Sequence, residues 1–234
     1  MRKLLSAIFV SLLLSLSVHA DVFNDAAAAY QKGDYKTAMR LWRPLAEQGD
    51  AMAQSTLGYM YNNGKGVPED DKQAVKWYRL AAEQGFANAQ YNLGIMYGNG
   101  EGVPEDDKQA VKWYRLAAEQ GDAMAQSNLG FMYRKGKGVP EDDKQAVKWY
   151  RLAAEQGDAM AQSTLGYMYD EGEGVPEDDK QAVKWYRLAA EQGDASAQYN
   201  LGRMYVIGKG VPEDKVLAYM WWNLAAANGY ESAS

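Results

Sequence analysis

Apolar residues along this chain fall into two alternating patterns. In the stretch 51–66, Ala53, Leu57, Met60 and Tyr61 recur at helical spacing, and Asp50 stands where a helix cap belongs. Gly64 and Gly66, followed by Val67-Pro68, end that helix, because glycine turns the backbone and proline withholds its N–H. In the next stretch Ala74, Val75, Trp77, Tyr78, Ala81 and Ala82 form a broad apolar face, with Lys72, Gln73, Lys76, Arg79 and Glu83 mostly on the other side. Asp70 with Gln73 three residues on predicts a capping box, typically worth about 1 kcal/mol, and Gly85 predicts a left-handed helix end. The unit so described is helix–turn–helix.

That unit repeats. The sixteen residues DDKQAVKWYRLAAEQG are identical at Asp70–Gly85, Asp106–Gly121, Asp142–Gly157 and Asp178–Gly193, spaced by 36 residues. Neither helix can bury its apolar face alone, so each must lie against its partner and the next repeat, as in a one-dimensional stack. The repeats are expected at 51–86, 87–122, 123–158, 159–194 and 195–229, and Trp77, Trp113, Trp149 and Trp185 are expected to fill the gap between helices.

The ends differ. Residues 21–50 read as an irregular hairpin, Phe23–Lys32 and Tyr35–Gln48 about a Gly33-Asp34 turn, with Pro44 expected to kink its second helix. At the other end, EDKVLAYMWWNLAAAN keeps the register, with Trp221 at the place of Trp77 and Trp222 at that of Tyr78. Its apolar face is expected to serve as a tolerant cap or to dock on something, including a second copy. Residues 230–234 are a tail.

Composition narrows the chemistry. Arg2 and Lys3, an apolar run from Leu4 to Val18 and the small residues Val18 and Ala20 have the form of a secretory signal over 1–20, cleaved near Ala20. The expected location is periplasmic or secreted. Loss of those two cations lowers the formal charge from −6 to −8, and an acidic surface repels phosphate backbones, so nucleic acid is not an expected partner. Beyond the signal no stretch is apolar enough to span a membrane. The only histidine is His19, inside the signal, and cysteine is absent. Histidine triads, thiol nucleophiles, disulfides and zinc sites built on imidazole or thiolate are thereby excluded downstream of it.

The pattern carried by Ala53, Leu57, Gly58, Met60, Tyr61, Gly64, Gly66, Val67, Pro68, Asp70, Ala74, Trp77, Tyr78, Ala81, Ala82 and Gly85 resembles the Sel-1-like repeat, a relative of the tetratricopeptide repeat. Five copies cover 51–229, and the 22–49 hairpin looks like a degenerate sixth, closer to a tetratricopeptide unit. The resemblance implies an all-α fold, a right-handed α-solenoid or superhelix whose first helices line the concave side, and a role as a bacterial adaptor in complexes. One branch of the family, cysteine-rich, implies β-lactam binding or slow hydrolysis. This chain lacks that branch's cysteines and any serine–lysine pair at S-x-x-K spacing.

Within the repeats the first helix varies while the second hardly changes. The five variable series begin at Met52, Ser55, Tyr59, Asn62 and Asn63, on one helical face. By the resemblance, that face lines the concave groove. The expected partner-binding residues are Tyr59, Tyr91, Ile95, Phe131, Arg134, Tyr167, Asp170, Tyr199 and Arg203, aromatic groups flanked by polar ones, as suits peptide recognition. The constancy of Lys72, Lys76 and Arg79 argues against simple drift of exposed positions. The acidic runs Pro68–Asp71 and their copies lack the alternating ligands of a calcium loop, and their acids are accounted for by helix starts. Paired carboxylates for glycoside hydrolysis would need a deep cleft. No enzyme activity, metal or cofactor is expected. The reading is an exported, non-enzymatic scaffold for a protein or peptide partner. The alternatives are a β-lactam-binding envelope protein and a self-associating structural one.

Overall fold

The computed structural model describes residues 21–230, and the signal expected at 1–20 and all but Tyr230 of the tail expected at 230–234 lie outside them. Among the described residues all regular structure is α-helix. α1 covers 21–31. It is followed by α2 (Tyr35–Glu47), α3 (Ala51–Asn62), α4 (Asp71–Glu83), α5 (Ala87–Asn99), α6 (Asp107–Glu119) and α7 (Ala123–Lys135). Then come α8 (Asp143–Glu155), α9 (Ala159–Glu171), α10 (Asp179–Glu191), α11 (Ala195–Ile207) and α12 (Lys215–Ala227). The chain forms two compact units that divide between Trp113 and Tyr114, inside α6. In the first, α2, α3, α4 and α5 each pack on the next; in the second, α7 to α12 do so.

The caps follow the sequence. Asp50, Asp122, Asp158 and Asp194 accept from the backbone N–H three residues on at 2.6–2.8 Å, and Asp70 accepts from Gln73 N at 3.0 Å. The expected capping box is only half made, because the Asp70 amide donates to Tyr61 O at 3.0 Å and ties the turn back to α3 instead. Pro44 does not interrupt α2, which runs through it. It stands in the final turn, exposed, where its missing N–H removes a single bond. Gly66 has φ +76°, and a Cβ there would meet Tyr35 O at 2.5 Å, so the turn needs glycine for space as well as conformation.

The tryptophans are core. Trp77, Trp113, Trp149 and Trp185 are buried, with Trp77 against Leu57 and Met60, Trp113 beside Tyr78 and Leu93, and Trp185 beside Tyr150 and Leu165. A glutamine ladder, silent in the hydrophobic pattern, runs beside this core. Buried Gln54 donates to Ala46 O at 3.0 Å and accepts from Gln84 at 2.7 Å. Gln162 and Gln198 repeat the arrangement with Ala154 and Ala190 as acceptors and Gln192 and Asn228 as donors. Each glutamine thus satisfies carbonyls left open at a helix end. Arg43, Arg79, Arg115, Arg151 and Arg187 donate to Tyr61, Tyr97, Tyr133, Tyr169 and Tyr205 at 2.6–3.0 Å.

Candidate functional site

The first unit holds a cleft of about 560 Å³. Tyr30, Trp42, Met52, Tyr59 and Phe86 form its apolar lining, and Ser55, Thr56, Asn88 and Asn92 supply polar groups. Tyr30 and Trp42 stand with ring centroids 5.8 Å apart, and burial and a hydrogen bond with Tyr59 push the Tyr30 phenol up to about 12. Tyr59 is 43% exposed. Asn92 Nδ2 donates to Asn88 O at 2.9 Å and to Asn88 Oδ1 at 3.1 Å, which fixes both amides on the wall.

Phe86 is the informative member. Position 86 aligns with Asp50, Asp122, Asp158 and Asp194, all of which cap a helix, whereas Phe86, at the cap position of α5, makes no side-chain cap bond. In the second unit Ser127 donates to Asp158 at 3.3 Å and Ser163 to Asp194 at 3.0 Å. With phenylalanine at 86, Ser55 turns to Asn88 Oδ1 at 3.2 Å instead. A cap worth about 1 kcal/mol is given up, and an aromatic ring enters the cleft.

The second unit holds a smaller, polar cleft of about 270 Å³, whose walls include Arg134, Ser163, Thr164, Tyr167 and Asn200. The Arg134 guanidinium lies 4.9 Å from the Tyr167 ring centroid and pairs with Glu173 at 2.9 Å. Asp170 is buried and meets Arg203 and Lys209, the latter at 2.9 Å, while Tyr186 OH donates to it at 3.4 Å. Lys209 also reaches Glu177 at 2.8 Å and Asp179 at 3.1 Å. Its ammonium is pushed above the usual lysine range, chiefly by the Glu177 hydrogen bond and then by Asp170.

Of the residues expected to bind a partner, Tyr59 lines the first cleft and Arg134 and Tyr167 the second. Phe131 is exposed, and Tyr91 and Ile95 are half-buried. Asp170 and Arg203 face each other, so their charges hold α9 to α11. Tyr199 stacks on Tyr230 at 4.4 Å and on Trp222 at 6.3 Å, so its ring is covered by the chain's own C-terminal residues. The variable face is thus divided. The series beginning at Met52 and Asn63 is exposed, while those beginning at Ser55 and Asn62 hold contacts within and between repeats. The constancy of Arg79 and Lys76 also has a structural cause, the bond to Tyr97 and a cation–π contact with Trp77, and therefore argues nothing about drift.

Sequence reasoning missed Tyr30, Trp42, Phe86 and Asn92, and placed Asn88 on the variable face without naming it as a binding residue. Phe86 was legible as the one break in an aspartate series, while Tyr30 and Trp42 lie in the degenerate first copy, where Trp42 holds the place of Tyr78. Among the described residues no cluster of acids could hold a metal ion, and no helix is long and apolar enough to cross a membrane.

The model of the Sel1 repeat matches 26–50, 51–86, 87–122, 123–158, 159–194 and 195–230, which covers the hairpin as well as the five regular copies. This chain belongs to the Sel1 repeat family. It is similar to the crystal structure of a Sel1 repeat protein from Oxalobacter formigenes, with 40% identity over 89% of this chain and 86% of that one and a TM-score of 0.84. It is also 41% identical, over 90% of its length, to c5321, described as a protective antigen present in uropathogenic Escherichia coli strains displaying an SLR fold, with a TM-score of 0.86. The match spans only 46% of that longer structure. A search of curated proteins gave no match. The Sel1 repeat is an all-α scaffold commonly used for protein interaction, and the fold class read from the sequence stands.

Proposed function

We propose that this Sel1 repeat protein is an exported, non-enzymatic adaptor that binds a protein or peptide partner, and that the aromatic cleft of the first unit takes an apolar or aromatic side chain of that partner. The observation that carries this reading is Phe86, where a helix cap is given up for a ring in a cleft already lined by Tyr30, Trp42 and Tyr59. Rigid aromatic walls gain contact area at low entropic cost, and a few such residues carry most of the energy of an interface. Fixed amides at Asn88 and Asn92 suit the polar backbone beside an anchoring side chain. The charged pair Arg134–Glu173 beside Tyr167 offers a second, more polar contact in the other unit. Export rests on the signal-like segment 1–20. In the second cleft the Ser163 hydroxyl donates to Asp194, but the same carboxylate oxygen already caps α11 through the Ala197 N–H, so this pair is read as structural and not as a nucleophile with its base.

Panning a random peptide library on the protein tests this. Enriched peptides are expected to carry a large apolar or aromatic residue and to lose about tenfold or more in affinity against Phe86→Asp or Tyr59→Ser. Peptides that bind both variants as tightly as the parent would refute the cleft as the site.

A further inference from the structure

α3 and α9 begin with the same residues, AMAQSTLGYMY, at 51–61 and 159–169, and each forms one wall of a cleft. Met52, Ser55, Thr56 and Tyr59 of the first cleft recur three repeats on as Met160, Ser163, Thr164 and Tyr167 of the second. Asn92, on the next first helix, recurs as Asn200. In the sequence, no other first helix of the regular copies carries that set of four. The two clefts are therefore one frame built twice. What changes between them is the variable wall, where Phe86 of the first cleft is replaced by Asp194 of the second and Asn88 by Ser196.

The exchange at position 194 sets the charge of the second cleft. Arg134 brings a cation to it, but Glu173 pairs with that cation at 2.9 Å. Asp194 is then the unbalanced charge of the lining. It is half-buried, and its Oδ1 accepts from Ala197 N at 2.6 Å and from the Ser163 hydroxyl at 3.0 Å. Both bonds fall on the same oxygen, and among the described residues Oδ2 has none. That oxygen is open to a donor from a partner, and a cationic donor makes the stronger bond.

The cleft selects among cations. An arginine fork is matched by two carboxylate oxygens, and Oδ1 is already engaged twice, whereas an ammonium is a point charge that a single oxygen can hold. The volume, about 270 Å³ against about 560 Å³ in the first cleft, suits a slender side chain. Met160, 59% exposed, offers apolar surface to a methylene stem, and the oxygens of Ser196 and Asn200 can accept the remaining ammonium protons. The formal charge of −6 also favours approach of a basic partner. We infer that the second cleft takes a lysine side chain of the partner, with its ammonium on Asp194 Oδ2, and that the residue at 86 or 194 sets the specificity of each cleft. The inference rests on the adaptor reading above and names the chemistry of its second contact.

Panning a random peptide library on Tyr59→Ser, which impairs the first cleft, reads the second. Enriched peptides are expected to carry lysine and to lose about tenfold in affinity when Asp194→Asn is added, since asparagine keeps the helix cap but not the charge. Their affinity should also fall as salt rises. Asp194→Phe in the same background should move the enriched residue from lysine to an apolar or aromatic one. Acetylating the lysine of a synthetic selected peptide should reproduce the tenfold loss, and acetylating its amino terminus should not. Enriched peptides without lysine, or lysine peptides that bind Asp194→Asn as tightly, would overturn the inference. Loss on acetylation of the amino terminus alone would overturn it too, by giving the cleft to a chain end. Aromatic peptides recovered on the parent, with nothing recovered on Tyr59→Ser, would overturn the second cleft and spare the first. Lysine peptides that depend on Asp194, with none that depend on Phe86, would uphold the second and overturn the first.

Discussion

Asp170 and Lys209 are 39 residues apart in sequence and 2.9 Å apart in space, and Arg134 and Glu173 hold the same two places one repeat earlier with the charges reversed. Four of the second helices are identical and cannot tell one neighbour from another. Opposite polarity at these two contacts supplies that distinction in the second unit, since a slip by one repeat would set Arg134 against Lys209.

The two pairs differ in burial and hence in cost. The Asp170 side chain is wholly buried, so Asp170→Asn is expected to destabilise by about 2 to 3 kcal/mol, less than for a fully buried pair because Arg203 and Lys209 keep access to water. Arg134→Glu, in a partly exposed pair, is expected to cost about 1 kcal/mol and to be rescued by adding Glu173→Arg. Urea unfolding of the single and double variants checks both; absence of rescue would mean that the contact does not act as a charge pair.

Trp149→Ala in the second unit removes a buried aromatic and is expected to cost about 3 to 5 kcal/mol. In a stack of repeats such a loss should broaden the unfolding transition as well as lower its midpoint. An unchanged melting curve would show that Trp149 is not core.

Alkaline pH should unfold the protein through its tyrosines. Burial pushes Tyr30 and Tyr150 up to about 12 from the ordinary value of 10.0, and raises Tyr78 and Tyr186 as well. Above pH 10.0 the unfolded chain loses these protons while the folded chain retains them, so stability falls as pH climbs towards the folded values. Lys209 acts in the same direction, since its raised value stabilises the fold below 10.5 and that contribution is lost as pH rises through the folded value. Denaturation curves through this range, read with tyrosinate absorbance, should show stability and phenol protonation falling together. Flat stability across it would contradict the burial of these rings.

Much of the fold was legible because repetition did the work of an alignment. The fixed Trp77 series, the aspartate caps and the Gly66 turn each recur with one physical cause, and the structure places them accordingly. The site was less legible. A helical period identifies a face but not what covers it, so Ser55, Asp170 and Tyr199 looked like groove residues when neighbouring elements already engage them. Pro44 looked like a kink, although the expected helix end at Gln48 already placed it in the last turn, where a missing N–H removes a single bond. Tyr30 and Trp42 were overlooked because their copy is degenerate: Trp42 holds the place of Tyr78, a core position in the regular repeats, and reads as core there too.

The most direct test of the account is Phe86→Asp, measured for stability and for binding of library-selected peptides in the same preparation. Restoring the aspartate cap should raise stability by about 1 kcal/mol, while affinity falls about tenfold or more. A gain in stability with affinity unchanged would show that the ring at position 86 is no part of a binding site, and would contradict the account at its centre.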